Sequence, residues 1–211
     1  MKVIVTDRKY PGLDDPYGDI VRDAGGEIEY ADFESERDVI EGIGDANVVL
    51  LSKAPITRAV LEQMDDVQSI IRLGTGVDSI NLKAATEYGI PVSNTPGSYC
   101  AEELATHAIG LMIAAAHEVV YSDQLLRNNE GWGRREDINP MNGGTFGIFG
   151  LGHIGRAAVP KAKGLDMDVI ACDPYMGDDL FDDLEVERVT FDDLLARSDC
   201  ISIHTPLTAE T

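Results

Sequence analysis

The residues of this chain best suited to chemistry form a glycine-rich loop, GLGHIG, at residues 150–155. A strand-like run precedes the loop and a helical pattern follows it. In this setting the first glycine allows a tight turn, the second leaves space for a pyrophosphate, and the third lets the helix pack on the strand. The first N–H groups of the helix attract phosphate oxygens. A tight strand–helix turn without a ligand is the plainer alternative. We predict dinucleotide contacts at Gly150, Gly152, His153, Ile154 and Gly155.

An aspartate and a proline-containing loop extend this candidate site. Asp173 ends the next strand-like run, 18 residues after Gly155 and close to the ~20-residue spacing expected of a ribose-binding acid. Its carboxylate would accept hydrogen bonds from both ribose hydroxyls and repel a 2′-phosphate, which favours NAD(H) over NADP(H). The segment His204-Thr205-Pro206 follows the last strand-like run and is predicted to flank the adenosine. The alternatives are a surface aspartate and a loop that merely begins at a proline.

The four histidines are the other candidates for acid–base chemistry. His107 and His117 fall on a long apolar segment and are interpreted as structural residues. His153 belongs to the glycine loop, and His204 ends a strand on the adenine side. A general base needs a partner that orients it, and the sequence places no acid beside any of these histidines. It therefore predicts no catalytic relay among them.

Short apolar runs alternate with amphipathic segments along the chain, which is typical of parallel sheets covered by helices on both faces. The predicted strands are 2–6, 27–30, 47–51, 69–72, 91–93, 145–149, 168–171, 185–189 and 200–204, and the predicted helices are 17–24, 36–42, 58–64, 82–88, 153–163 and 191–197. This order predicts an α/β fold of two Rossmann-like domains with parallel sheets. The first is flavodoxin-like and covers residues 1–98, and the second is an NAD-binding Rossmann domain that covers residues 99–211.

A long helical segment follows the predicted domain junction. Residues 101–128 are predicted to form one helix, and its middle, AIGLMIAAA, is apolar on all sides. Such a helix is normally buried. We therefore expect it to pack against another domain or a second subunit.

The charge of the chain limits its partners. Asp and Glu number 38 against 17 Lys and Arg, a formal net charge of −21 at pH 7. The acids are spread along the chain, which indicates a protein adapted to high salt, where screening relieves the repulsion between them. An acidic protein from an ordinary cell is the alternative. In either case a phosphate backbone would be repelled, so we expect no nucleic-acid partner.

The cysteines and the apolar runs indicate the cellular compartment of the protein. Cys100, Cys172 and Cys200 are an odd number without a CxxC pair, which argues against a disulfide framework or a zinc site. The longest apolar stretch, residues 108–116, is too short to span a bilayer. We expect a cytoplasmic protein with buried, reduced cysteines, no membrane association and no metal.

Several motifs together resemble the D-isomer-specific 2-hydroxyacid dehydrogenases. GLGHIG, Asp173-Pro174-Tyr175 and HTPLTAET are similar to the nucleotide domain of that family. The segment 72–78 (RLGTGVD) resembles its substrate loop, 90–97 (IPVSNTPG) its interdomain crossing, and 101–105 (AEELA) the start of its dimer helix. Within the family the chain is most similar to the phosphoglycerate dehydrogenase and C-terminal-binding-protein-like branch. The segment 52–55 (SKAP) favours the latter.

The resemblance implies an NAD-dependent enzyme that interconverts 2-keto acids and D-2-hydroxy acids, phosphoglycerate among them. The first domain would bind the substrate, and the long helix 101–128 would form a homodimer. The substrate contacts implied are Lys53, Leu73, Gly74, Thr75, Gly76 and Val77, and Thr75 would also approach the cofactor. Glycines in such a loop leave N–H groups open for a carboxylate. The alternative for Lys53 is a solvated surface lysine.

The resemblance also implies a catalytic Arg, Glu and His that match no residue of this chain. They are expected downstream of Thr211, together with the second half of the nucleotide domain and a segment that returns to the first domain. On this view the chain is C-terminally truncated and inactive alone. The alternatives are a non-catalytic NAD(H)-binding module, as in the corepressor branch of the family, and an inactive fragment that binds only the ADP portion. Which 2-hydroxy acid is the substrate stays open.

Overall fold

The computed structural model describes residues 1–7, 17–95, 100–128, 141–208 and 211. The chain forms two compact units, Met1–Pro96 and Gly97–Thr211. The predicted junction between residues 98 and 99 lies outside the described residues. Each unit contains its own parallel sheet, which confirms the predicted α/β class.

The first unit is built on a five-stranded sheet in the order β2-β1-β3-β4-β5. Its strands are β1 (Lys2–Val5), β2 (Glu27–Tyr30), β3 (Val48–Leu51), β4 (Ser69–Arg72) and β5 (Val92–Asn94), and its helices are α1 (Gly18–Asp23), α2 (Glu36–Gly42), α3 (Arg58–Leu61) and α4 (Leu82–Glu87). This is the flavodoxin-like order, which reverses direction between β1 and β3. Ligands of such sheets bind outside the carboxyl ends of the strands at that reversal.

Side-chain caps explain where two helices of this unit begin. Ser35 Oγ accepts a hydrogen bond from Asp38 N–H and the Asp38 carboxylate accepts one from Ser35 N–H, which is the capping box that starts α2. Thr57 caps α3, but this helix ends at Leu61 and not at Met64 as predicted. After the C-cap Glu62, the N–H groups of Gln63 and Met64 donate to carbonyls three residues back, so the chain tightens into a turn there.

The strands of the first unit carry apolar side chains on both faces. Successive side chains of a strand point to opposite faces. In β3, Val49 and Leu51 therefore join one cluster, with Ile4 and Ile70, while Leu50 joins a second cluster on the other face. The apolar run of β3 was predicted to be covered on both faces, and its burial confirms this.

The second unit contains a four-stranded parallel sheet in the order β8-β7-β6-β9. Its strands are β6 (Thr145–Phe149), β7 (Asp168–Cys172), β8 (Glu187–Arg188) and β9 (Cys200–Ile203), and its helices are α5 (Ala101–Ala116), α6 (Val119–Arg127), α7 (His153–Lys163), α8 (Asp178–Leu184) and α9 (Phe191–Arg197). Numbered along the chain, these strands follow the 3-2-1-4 part of the dinucleotide-binding order. The second unit is therefore Rossmann-like, as predicted.

The prediction of one helix over residues 101–128 is wrong. Glu118 adopts a left-handed conformation with φ of 52°, and it separates α5 from α6, which meet at 58°. Within this unit α5 is buried on one side only, and the predicted packing of its apolar middle against another domain or a second subunit stays a prediction. Ile109 and Met112 are buried, but Leu104 is 45% exposed and Leu111 is 58% exposed. The apolar pattern could not reveal the break, because helical periodicity does not report the φ of one residue.

Helix α8 was not predicted. Its N-cap, Gly177, has no side chain to accept a hydrogen bond, and the segment is rich in aspartate, which has a low intrinsic helix propensity. Phe181 anchors the helix as its one buried residue. Asp178 and Asp179 lie in the first turn, where negative charge favours the helix dipole.

In the described residues, no single helix is both long and apolar enough to cross a membrane, although α5 and α6 reach that length and composition when taken together across their bend. Among the same residues, no group of three or more His, Cys, Asp or Glu side chains is placed to hold a metal ion. The three cysteines are free and only partly buried, so the prediction that they are buried is too strong.

Candidate functional site

A cleft of about 690 Å³ opens at the carboxyl edge of the second sheet, where β6, β7 and β9 end. It is lined by Phe149, Gly150, Gly152, Asp173, Pro174, Tyr175, Met176, His204, Thr205, Pro206, Thr208 and Thr211. The carboxyl ends of parallel strands meet at one edge of a sheet, and this is where open α/β sheets bind their ligands. The cleft thus brings together most of the residues predicted to contact a dinucleotide.

The three glycines of the loop have three different surroundings. Gly150 has φ of +95°, and a Cβ there would lie 2.9 Å from His204 and Thr205. A Cβ on Gly155 would lie 2.2 Å from the carbonyl oxygen of Gly150. A Cβ on Gly152 would meet no atom within 4 Å. The first glycine therefore serves the turn, the third serves close packing, and the second leaves open space beside the cleft, as a bound pyrophosphate requires.

Helix α7 begins directly in this loop. Gly152 is its N-cap and has no side chain to accept from the first N–H groups, so these donors are available to an anion. The Arg156 side chain folds back toward the same end. Its Nε donates to Gly152 O at 3.2 Å, and its Nη2 lies 3.1 Å from His153 Nδ1. Sequence reasoning missed Arg156, although its place in the first turn of the helix could have indicated it.

The Asp173 carboxylate is buried, with 8% of the residue exposed. Its Oδ2 accepts a hydrogen bond from Leu151 N–H at 2.7 Å, and its Oδ1 accepts one from Tyr175 N–H at 2.9 Å. Each carboxylate oxygen has a second lone pair with which it can accept a ribose hydroxyl. Asp173 thus lines the cleft, as predicted. Its burial contradicts the alternative interpretation, in which it is a surface aspartate.

His204, Thr205 and Pro206 line the other side of the cleft. His204 N–H donates to Phe149 O at 2.8 Å, which ties this segment to the end of β6. Burial lowers the pKa of His204, which favours the neutral form of its imidazole. The ring nitrogen Nε2 pairs with Ser202 Oγ at 2.9 Å and not with an acid.

The other three histidines are not among the residues that line the cleft. His107 and His117 are exposed in α5 and at its C-cap, so the interpretation of both as enclosed structural residues receives no support. His153 and Ile154 begin α7 at the loop and are not among the residues that line the cleft.

A second hollow of about 660 Å³ lies at the amino edge of the same sheet, near the starts of β6 and β7. The two cationic side chains that line it already have hydrogen-bond or ion-pair partners. Lys163 Nζ donates to Leu184 O and Glu185 O, and the Arg197 guanidinium forms a two-pronged ion pair with Glu187. This hollow lies at the opposite strand ends from the glycine loop, so the carboxyl-edge cleft is the stronger candidate.

In the first unit, the predicted substrate loop follows β4 at the carboxyl edge. Gly74 has φ of +146°, and its missing side chain makes room for the Arg72 guanidinium, which a Cβ would overlap. Thr75 O accepts from Asn94 Nδ2 at 2.8 Å, and Gly74 O accepts from Thr95 N–H at 3.0 Å. These bonds hold the loop to the end of β5.

The N–H groups of this loop divide into used and open donors. Leu73 N–H donates to Leu51 O and Gly74 N–H donates to Arg72 O. The N–H groups of residues 75–77 donate to no acceptor in the described part of the chain. Thr75, Gly76 and Val77 therefore offer the donors that a carboxylate needs, whereas Leu73 packs half-buried on the cluster around Val3.

Lys53 lies beside this loop, just after β3 and at the reversal of the sheet. Asp7, two residues after the end of β1, accepts hydrogen bonds from Ser52 N–H at 2.7 Å and from Lys53 N–H at 3.0 Å, and so positions the backbone of Lys53. The Lys53 side chain is exposed and has no ion pair within the described ranges. Arg72 also lacks one there, and its Nε is buried without a hydrogen-bond partner.

Most other described cations do pair with acids, for example Arg58 with Glu87 at 2.6 Å and Arg127 with Asp123 at 2.7 Å. In a chain of net charge −21, two cations left unpaired at the carboxyl edge indicate room for anionic groups. The sequence had identified Lys53. The structure adds Arg72, which forms no ion pair with an acid in the described residues.

The comparisons with known proteins agree with this geometry. A family model described as the NAD binding domain of D-isomer specific 2-hydroxyacid dehydrogenase matches residues 109–211. The D-3-phosphoglycerate dehydrogenase of Archaeoglobus fulgidus is 34% identical over 195 residues, which are 92% of this chain and 37% of that protein. The glyoxylate reductase of Korarchaeum cryptofilum is 36% identical over 185 residues, 84% of this chain and 54% of that protein.

A solved structure gives the same result. The NAD⁺-bound 3-phosphoglycerate dehydrogenase of Entamoeba histolytica is 27% identical and aligns with a TM-score of 0.80, over 100% of this chain and 64% of its own. The chain spans between 35% and 55% of the length of the curated relatives that it matches. From its sequence and its fold, the chain belongs to the D-isomer-specific 2-hydroxyacid dehydrogenase family, and its second unit is an NAD-binding domain.

Proposed function

We propose that the protein is an NAD-dependent D-2-hydroxyacid dehydrogenase that reversibly reduces a 2-keto acid. This proposal rests on two sites whose geometry suits a ligand. One is the cleft with an open glycine at Gly152 and a buried acid at Asp173, and the other is the loop with three unused N–H groups at residues 75–77. NAD would supply the hydride chemistry. The residues of this chain would hold its diphosphate and ribose and would orient the carboxylate of the substrate.

An activity assay of the native gene product tests this proposal. We expect the gene product to oxidise NADH, followed at 340 nm in molar KCl, when a 2-keto acid is added, and to use NADPH far less well. Phosphohydroxypyruvate, glyoxylate and pyruvate are the substrates to compare. Tight NADH binding without turnover of any of these acids would contradict the dehydrogenase and leave a non-catalytic NAD(H)-binding module.

That module is the second candidate function. Among the described residues, the imidazoles of His153 and His204 contact an arginine and a serine, and neither has a carboxylate to orient it as a general base would require. Such a module would bind NADH without turnover, whereas an inactive fragment that recognises only the ADP portion would bind ADP-ribose and NAD nearly alike.

The substrate proposed is a 2-keto acid that carries a second anionic group, as phosphohydroxypyruvate does. Residues 75–77 would hold the carboxylate, and Lys53 would meet the second anion, because its ammonium has no ion pair in the described part of the molecule. The names of several relatives, D-3-phosphoglycerate dehydrogenases, support this choice.

Replacement of Lys53 by alanine tests the substrate. We expect the KM for phosphohydroxypyruvate to rise roughly tenfold, the equivalent of one lost ionic contact of ~1.4 kcal/mol, while the KM for glyoxylate stays the same. Lys83→Ala is the matched control, because Lys83 is also an exposed lysine without a described ion pair but belongs to α4 and to neither the segment 52–55 nor the loop 73–77. Equal effects of Lys53→Ala on both substrates would contradict the assignment.

We further propose a cytoplasmic homodimer formed through α5 and α6. These helices expose Leu104, Leu111, Val119, Val120 and Leu126, each at least 45% exposed. Exposed apolar patches of this kind mark protein contact surfaces. The acidic charge would keep nucleic acids and anionic membranes away from the protein.

The double variant Leu104→Gln, Leu111→Gln should weaken this dimer without changing the net charge. We expect its Kd to rise at least about tenfold, because each fully buried Leu side chain contributes roughly 1.5–3 kcal/mol. Light scattering across a dilution series measures the effect. Ile20→Gln, at a side chain 70% exposed on α1 in the first unit, is the control and should leave the dimer intact. An unchanged mass for the double variant would place the subunit contact elsewhere.

A further inference from the structure

The Asp173 carboxylate joins two loops that a dinucleotide would contact. Through Oδ2 it accepts from Leu151 N–H at 2.7 Å, and through Oδ1 it accepts from Tyr175 N–H at 2.9 Å. Leu151 lies between the first two glycines of the loop, and Tyr175 follows the end of β7. A residue chosen only to contact ribose would need neither bond.

The bond to Leu151 cannot be replaced by water. Leu151 is 0% exposed, so its N–H would be left buried and unpaired if the carboxylate were removed. An unpaired buried donor is costly, and the backbone would shift to find another acceptor. The segment that would shift includes Gly152, whose open side lies at the cleft.

We propose that Asp173 is a positioning residue for the diphosphate in addition to its predicted contact with the ribose. Its carboxylate fixes the glycine loop, through Leu151, in the conformation that presents the start of α7 to the phosphates. The inference rests on the nucleotide site and not on the proposed dehydrogenase activity. It implies that removal of this acid weakens NAD and NADP binding together and does not simply exchange one preference for the other.

The chemistry of the two bonds explains why a carboxylate is needed. Both partners are N–H donors, so both side-chain termini must be acceptors. An asparagine of the same shape has one acceptor and one NH₂ group, and the NH₂ group would face an N–H of either Leu151 or Tyr175. Asp173→Asn is therefore expected to loosen one of the two loops, and Asp173→Ala both.

A nucleotide without ribose hydroxyls separates the two roles. We would measure the Kd of ADP and of 2′,3′-dideoxy-ADP by calorimetry in molar KCl, well below the melting temperature of each variant. If Asp173 positions the loop, Asp173→Ala raises the Kd of dideoxy-ADP by about tenfold or more, as the loss of a charge-assisted hydrogen bond would. If Asp173 contacts only the ribose, dideoxy-ADP binds the variant and the unaltered protein equally. That result would overturn the proposal.

Asp199→Ala is the matched control for Asp173→Ala. Asp199 Oδ2 also accepts a backbone N–H, that of Thr145 at 2.7 Å, but at the amino edge of the same sheet. This variant should lose stability without losing affinity for dideoxy-ADP.

Amide hydrogen exchange in the unaltered protein gives a second test that needs no variant. The Leu151 N–H should be protected and the Gly152 N–H should not, since only the former is held by Asp173. Rapid exchange at Leu151 would also overturn the proposal, even if Asp173→Ala and Asp173→Asn fail to fold.

Discussion

Gly155→Ala should destabilise the second unit severely and abolish NAD binding. The added Cβ would lie 2.2 Å from the carbonyl oxygen of Gly150 and 3.2 Å from the Ile148 side chain. The closest of these atoms belongs to the backbone of the turn, so it cannot rotate away as a flexible side chain can. Overpacking of this kind costs roughly 1–3 kcal/mol and occasionally more. Urea denaturation and calorimetry with NAD would measure both effects.

Gly152→Ala makes the same chemical change three residues earlier and should have the opposite profile. Its Cβ would meet no atom within 4 Å, so we expect the melting temperature to change little. The methyl group would occupy the space that a pyrophosphate needs beside the loop, so the Kd for NAD should rise at least about tenfold, or ~1.4 kcal/mol. Gly177→Ala, also in open space but at the start of α8, is the control for both variants.

The two glycine variants test different statements about the loop. If Gly155→Ala folds normally, the close packing of α7 on the turn is not needed for the fold. If Gly152→Ala binds NAD as well as the unaltered protein, the pyrophosphate does not cross the loop at that glycine.

The second large effect expected is the dependence of stability on salt. We propose that the protein is adapted to high salt and predict that it unfolds when molar KCl is removed. The formal net charge is −21, and the described ion pairs occupy only a part of the acids. At 1 M salt the screening length is ~3 Å, against ~10 Å at 0.1 M, so dilution restores repulsion between neighbouring carboxylates. Circular dichroism along a KCl series would follow the transition.

A charge variant shows whether repulsion is the cause. Asp182 and Asp183 lie exposed in the last turn of α8, where negative charge opposes the helix dipole. Replacement of both by asparagine should lower the KCl concentration needed for folding. Sucrose is the control, because it stabilises compact states without screening charge. A melting temperature that does not change with KCl concentration would contradict salt adaptation. Stabilisation by sucrose equal to that by KCl would also contradict it.

Local chemistry made most of the elements predictable. The capping box at Ser35, the Thr57 cap and the glycine loop each contain their signal within a few residues, and the strand β6 and the helix α7 around the loop have the predicted limits. Helix α8 and the break at Glu118 were not predictable in this way. The first depends on the burial of Phe181 in the tertiary structure, and the second on the φ of one residue.

The sequence by itself determined the fold class, the family and the types of residue at the nucleotide site, because glycine spacing, strand–helix order and the position of Asp173 are properties of the chain. Only the tertiary structure decided which side chains already have partners. Asp173 is occupied by two N–H groups from separate loops, and Leu73 N–H is taken by a neighbouring strand. Lys53 and Arg72 are without acids in the described part of an acidic chain. Hydrogen bonds and ion pairs join residues distant in sequence, so their partners are set when the strands pack and not by local spacing.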